Sequence, residues 1–130
     1  MIRVRLPWPS ARLSPNARLH WGEKAQAVKS ARREAGLSVL HQTYATDRER
    51  LSGKRLVVRL EFVPKVAARR DLDNCIARMK GALDGIADAL QADDSNFELQ
   101  ASIKPADKAA GYVQVTISAA TEATSCKTSS

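Results

Sequence analysis

Apolar and polar positions alternate at the start of the chain: Ile2, Val4 and Leu6 are separated by Arg3 and Arg5. A period of two predicts a short strand with one face buried. PWPSARLSPN follows and reads as loop, because its prolines and serines break regular structure. From about Gly22 to Ala45 the period lengthens. Ala25, Val28, Ala31, Ala35 and Leu40 fall on one helical face, with Lys24, Lys29, Arg32 and Arg33 off it. Gly36 is expected to shorten or kink that helix. DRERLSGK is polar and turn-like. Leu56, Val58, Leu60 and Phe62 then alternate with Val57, Arg59 and Glu61, the clearest strand of the chain, which Pro64 ends.

The second half repeats the alternation of periods. Ile76, Met79, Leu83, Ile86 and Leu90 recur at spacings of three and four, predicting one amphipathic helix from Asn74 to about Leu90. Phe97, Leu99, Ala101 and Ile103 alternate, as do Val113, Val115 and Ile117. The turn-rich PADKAAG between them predicts an antiparallel hairpin. The element order is β-α-β-α-β-β. It predicts an α/β (α+β) single domain over residues 1–120, a mixed sheet with helices packed on it. The polar TEATSCKTSS, residues 121–130, is expected to be a disordered tail.

Composition narrows the function classes. The chain has 130 residues and a net charge of +7, and the charge is unevenly spread. Residues 1–70 hold 16 Lys/Arg against 5 Asp/Glu, a balance of +11; residues 71–130 hold 5 against 9, a balance of −4. A basic half predicts a polyanionic partner such as nucleic acid, although a basic surface also serves solubility. Cys75 and Cys126 have neither zinc-ligand spacing nor the look of a disulfide framework, so free thiols are expected. No secretory leader and no membrane-length apolar run is visible, and the expected location is cytoplasmic, without a membrane partner.

Against this basic background, acidic residues gather in ARRDLDNCIARMKGALDG and in ADDSNFE. Helix capping alone accounts for Asp71, Asp73 and Asn74, and turn formation for Asp93 and Asp94. At 100° per residue, however, Asp73, Lys80 and Asp84 lie on one flank of the apolar stripe. Asp71 can bend to the same end. Asp93 and Asp94 reach it only if the chain doubles back on entering the next strand. Three converging carboxylates repel strongly and call for a proton, a lysine or a hard divalent cation. An acidic metal pocket and a basic surface are complementary parts of a nuclease.

At these residues the sequence resembles the RusA family of Holliday-junction resolvases, over roughly residues 4 to 117. The matching features are LPWPS followed by Asn16, the strand ending in Pro64, the Arg-rich lead into DLDN, a helical lysine, LDGIADAL and the ADDSN turn. The resemblance implies a dimeric, Mg²⁺-dependent (or Mn²⁺-dependent) endodeoxyribonuclease that resolves four-way DNA junctions by paired nicks. It places the metal-binding acids on Asp71, Asp73 and Asp94, with Asp93 beside them. The family's catalytic lysine would fall on Ala77; Lys80 lies on roughly the same helix face and is the candidate here, with Arg78 the weaker one. Arg69, Arg70, Asn16, Arg18, Lys24 and Arg78 are candidate DNA contacts. Trp8 and Trp21 flank the Pro-rich loop, suited either to stacking on bases or to packing. Two other readings stay open: a non-catalytic basic nucleic-acid-binding module, and a nuclease acting on another branched DNA or on RNA.

Overall fold

A computed structural model describes residues 1–120. The disordered tail expected over 121–130, with Cys126, lies outside the described residues. Strand β1 (Ile2–Pro7) is followed by helices α1 (Trp21–Gln42) and α2 (Ala45–Leu51), then strand β2 (Leu56–Val63). Helices α3 (Leu72–Ala77) and α4 (Lys80–Leu90) come next, and strands β3 (Phe97–Ile103) and β4 (Tyr112–Ala119) close the fold. It is an α+β domain: a four-stranded mixed sheet with helices packed on it, in the order β1-β4-β2-β3.

The core follows the alternation. Ile2, Val4 and Leu6 of β1 pair with Ile117, Val115 and Val113 of β4, and all six are buried. Leu56, Val58, Leu60 and Phe62 of β2 are fully buried on the same face. Met79, Leu83, Ile86 and Leu90 pack down on them from the helical layer, with Ala35 and Val39 of α1. Burying a side chain of this size contributes about 1.5–3 kcal/mol. The inward stripe of α1 is narrower than expected: Ala35 and Val39 are buried, while Ala25 and Leu40 face solvent.

The strand pairing departs from the expected hairpin. β3 pairs with β2 in parallel, Leu56 opposite Phe97 through Phe62 opposite Ile103. β4 inserts on the other side of β2, antiparallel to both β2 and β1. The connection from β3 to β4 therefore passes over the end of β2. It is tied there by Lys104 N–H donating to Phe62 O (2.8 Å) and Asp107 N–H donating to Pro64 O (2.8 Å). The cause is apolar content. Val113, Val115 and Ile117 are wholly buried in a central position, whereas β3, with exposed Glu98 and Leu99, takes the edge.

Three helical expectations also change. Residues 45–51 of the polar segment form α2, anchored by buried Leu51. The single helix over 74–90 is two: α3 ends at Ala77 and α4 begins at Lys80, with a tighter step in which Met79 N–H donates to Ile76 O (2.9 Å). Gly36 neither shortens nor kinks α1, which runs unbroken to Gln42. It lies instead where α1 crosses α4. A Cβ on Gly85 would sit 2.0 Å from the Arg32 carbonyl oxygen, and one on Gly81 would sit 2.8 Å from that of Val28. Glycine lets the two backbones touch, which fixes α4, and the side chains it carries, against the middle of α1.

Candidate nucleic-acid and metal site

The acidic end of α3 is built by capping. Asp71 is the N-cap, and its Oδ1 accepts from Asp73 N–H at 3.0 Å. Both side chains are exposed. Asn74, one position on, ties this end to the Pro-rich loop. Its Nδ2 donates to Ser14 Oγ (3.0 Å), and Ser14 is buried. The same hydroxyl accepts from Asn16 N–H (3.3 Å). The loop carrying Asn16 and Arg18, both exposed, is thereby held beside DLDN. Asn74 Oδ1 also accepts from Arg78 Nε (3.0 Å), which fixes Arg78 at the C-cap of α3.

Arg69 is exposed, but Arg70 is partly buried and engaged. Its Nη2 donates to Val66 O (3.1 Å), and its guanidinium carbon lies 5.1 Å from the Trp8 ring centroid. Arg70 Nε is buried and has no hydrogen-bond partner among the described residues. Trp8 packs edge-on against Phe62 (6.1 Å between centroids), so it belongs to the packing of the Pro-rich loop. Trp21 is 78% exposed. His20 Nδ1 accepts from Gly22 N–H (3.2 Å) and caps α1.

A groove of about 700 Å³ runs between the start of α1, the α3–α4 layer and β3. Its charged lining is Lys24, Lys80, Asp84 and Asp94, over a floor that includes Ile76, Leu83 and Phe97. Asp73 precedes Ile76 and Ala77 of this lining by three and four positions, so it shares their helix face. Lys80 therefore sits on the groove together with Asp84 and Asp94.

The chain does double back after α4. Gln91 adopts a left-handed conformation (φ 52°), and Ala92 N–H bonds back to Ala87 O (3.0 Å). Asp93 caps the next 3-10 turn by accepting from Ser95 N–H (3.0 Å), and that bond holds its carboxyl below the usual range. The return brings Asp94 to Asp84. The Asp94 carboxyl, sharing a hydrogen bond with Asp84, is the main cause of a raised pKa at Asp84; partial burial adds to it, and Arg32 and Lys80 oppose it. Arg32 is itself held by Asp88, at 2.6 Å.

Carboxylate oxygens are the right donors for a hard divalent ion. The carboxyls of Asp84 and Asp94 lie side by side, while Asp71 is bonded to the backbone N–H of Asp73. Among the described residues no three His, Cys, Asp or Glu lie close enough together to hold a metal ion.

Asp84 stands on the acidic flank of the helical wheel, but its pairing with Asp94 has no signal in the sequence. The Ser14–Asn74 tie spans 60 residues and was equally invisible. Cys75 is buried, and burial pushes its thiol pKa up, as expected of an unreactive free cysteine. No helix among the described residues is long and apolar enough to cross a membrane.

No family model matches the chain. It is 39% identical over 122 residues to an uncharacterized protein of Xylella fastidiosa (strain Temecula1 / ATCC 700964), an alignment covering 94% of this chain and 79% of that relative. The chain belongs to the same protein family as this Xylella fastidiosa protein.

Proposed function

We propose that this protein is a Mg²⁺-dependent endodeoxyribonuclease, with Mn²⁺ an acceptable substitute, that resolves four-way DNA junctions as a homodimer in the cytoplasm. The observation that carries the reading is the placement of opposite charges along one surface. Asp71 and Asp73 are exposed at the start of α3 beside Arg69, and Lys24, Lys80, Asp84 and Asp94 line the adjoining groove. The order of DLDN, a helical lysine and a DD turn in the sequence supports it independently.

Asp71, Asp73 and Asp94, with Asp93 adjacent, are the proposed ligands. A hard divalent ion bound there would lower the pKa of a water and polarise the scissile phosphate. Lys80 offsets negative charge developing on the phosphate or on the leaving oxygen. Arg69, Arg18, Lys24 and Arg78 hold the flanking phosphates, and Asn16 lies on the loop beside them; these contacts make affinity fall with salt. Arg70 acts through position, holding the approach to Asp71 against Trp8. A four-way junction has approximate two-fold symmetry, so paired nicks call for two sites related by a dyad.

A second reading has a specific observation in its favour. Asp71 and Asp93 each accept a backbone N–H two residues ahead, which is all that a capping role needs. It makes the protein a non-catalytic nucleic-acid-binding module. Incubating the purified protein with a labelled synthetic junction, a linear duplex and a single-stranded RNA, with Mg²⁺ or EDTA, separates the readings. Our proposal expects nicks in the junction alone and only with Mg²⁺. Salt-sensitive binding without scission supports the module, and scission of RNA or of linear duplex identifies a nuclease of another substrate class.

A further inference from the structure

We propose that Trp21 is a stacking platform for an unpaired base of a bound nucleic-acid strand, set on the face of α1 that walls the groove lined by Lys24 and Lys80. This rests on the nucleic-acid reading above and deepens it: it names the form of the ligand, a single-stranded stretch, and a residue that recognises it.

The two tryptophans beside the Pro-rich loop have different fates. Trp8 is committed to the fold, packing edge-on against Phe62 with the Arg70 guanidinium over its ring. Trp21 opens α1 and leaves most of its indole in water. It has no share in the core cluster. Nor does it cap the helix, since His20 Nδ1 accepts from Gly22 N–H. That bond fixes the His20 ring, which lies beside the indole with centroids 5.5 Å and planes 33° apart. A fixed neighbouring ring narrows the orientations open to Trp21, so less freedom is lost when a base stacks on it.

Its place on α1 decides what it meets. Trp21 precedes Lys24 and Val28 by three and seven positions, so it shares the helix face that gives both to the groove. Side chains tilt toward the helix N-terminus, so the indole extends that wall beyond the first turn. Asp84 and Asp94 reach the groove from α4 and from the turn after it. Glu23, about 200° away on the helical wheel, lines the cavity that it shares with Trp8 instead. Arg18 is exposed and Lys24 partly so, and neither is in an ion pair among the described residues. A flat apolar face between such cations suits a single strand, whose bases offer a π-face and whose phosphates offer charge at each step. A duplex keeps its bases in the stack, out of reach of an indole. A protein partner would call for apolar neighbours, and the other large exposed apolar side chains of α1, Leu37 and Leu40, lie about four turns or more along the helix.

Titrating the full chain with an oligothymidylate of about 12 nucleotides, in EDTA and low salt, tests this. Tryptophan emission reads contact, because stacking on a base quenches it; anisotropy of the labelled strand reads affinity. The wild type is expected to bind with quenching. Trp21→Phe keeps a flat ring and leaves Trp8 as the remaining tryptophan, so it is expected to bind comparably and without quenching. Trp21→Leu is expected to bind about tenfold or more weakly. A blunt duplex should bind all three proteins alike. Trp21 is exposed, and an unchanged melting curve certifies the fold of each variant. Quenching that survives in Trp21→Phe assigns the contact to Trp8 and overturns the proposal. So does Trp21→Leu binding the strand as tightly as the wild type, the result expected of an indole kept for a protein partner. Equal weakening toward the duplex overturns it as well. Stacking without Mg²⁺-dependent cleavage would keep the platform and remove the nuclease, whereas junction cleavage with strand binding indifferent to Trp21 would do the reverse.

Discussion

Asp84 of α4 and Asp94 of the turn that follows it set their carboxyls side by side on one groove. Two carboxylates in contact favour a proton, and the pKa of Asp84 is raised accordingly. The sign follows from linkage. A raised folded-state pKa gives stability that is full below the ordinary aspartate value of about 3.9 and is lost as pH rises through the raised value. At neutral pH the pair is therefore a liability. Asp84→Asn is expected to raise the melting temperature at pH 7 and to give no such gain below about pH 3.9. Thermal melts across that range check it; an equal effect at both pH values would show that charge is not the cause.

At the α1–α4 crossing the two backbones touch. Gly85→Ala places a methyl group 2.0 Å from the Arg32 carbonyl oxygen, and a backbone atom cannot swing aside as a side chain can. The helices must separate, at a cost of about 3 kcal/mol or more. Urea unfolding measures the loss, and a variant within 1 kcal/mol of wild type, by the usual precision of such data, would mean that the crossing yields freely.

Asp71 separates capping from chemistry. Asparagine caps a helix about as well as aspartate, while alanine costs about 1 kcal/mol. Asp71→Asn is thus expected to melt like the wild type but to lose junction cleavage, and Asp71→Ala to lose both stability and cleavage. Cleavage by Asp71→Asn at the wild-type rate would leave this residue a cap and nothing more.

Lys80 lines the groove with Asp84 and Asp94 and stands where a positive charge can meet a phosphate. Lys80→Gln is expected to slow cleavage by about 10² or more, as loss of one electrostatic stabiliser does, while junction affinity changes little. Single-turnover assays beside gel-shift titrations read the two effects separately. An affinity loss with an unchanged rate would reassign Lys80 to phosphate holding.

Much of this architecture was legible in the chain because burial has a period. Ile2, Val4 and Leu6 declared their strand through strict alternation, and Leu56, Val58, Leu60 and Phe62 did so although Val57 between them is apolar and buried too. The same period does not say which strand lies next to which. Val113 to Ile117 and Phe97 to Ile103 look alike in sequence, and the expected hairpin gave way because β4, the more apolar strand, takes the centre. α2 was hidden because ATDRERL carries one buried side chain, Leu51, and so no stripe. The acidic stretches were visible at once. Their spatial grouping was not, since it depends on the left-handed Gln91 that ends α4 and sends Asp94 back to Asp84.

The central claim is that aspartates at the start of α3 serve metal-dependent strand cleavage. Its most direct test is Asp73→Asn with a labelled four-way junction in saturating Mg²⁺. The account predicts a variant that binds the junction as the wild type does and leaves every strand intact. Full cleavage by that variant would contradict it.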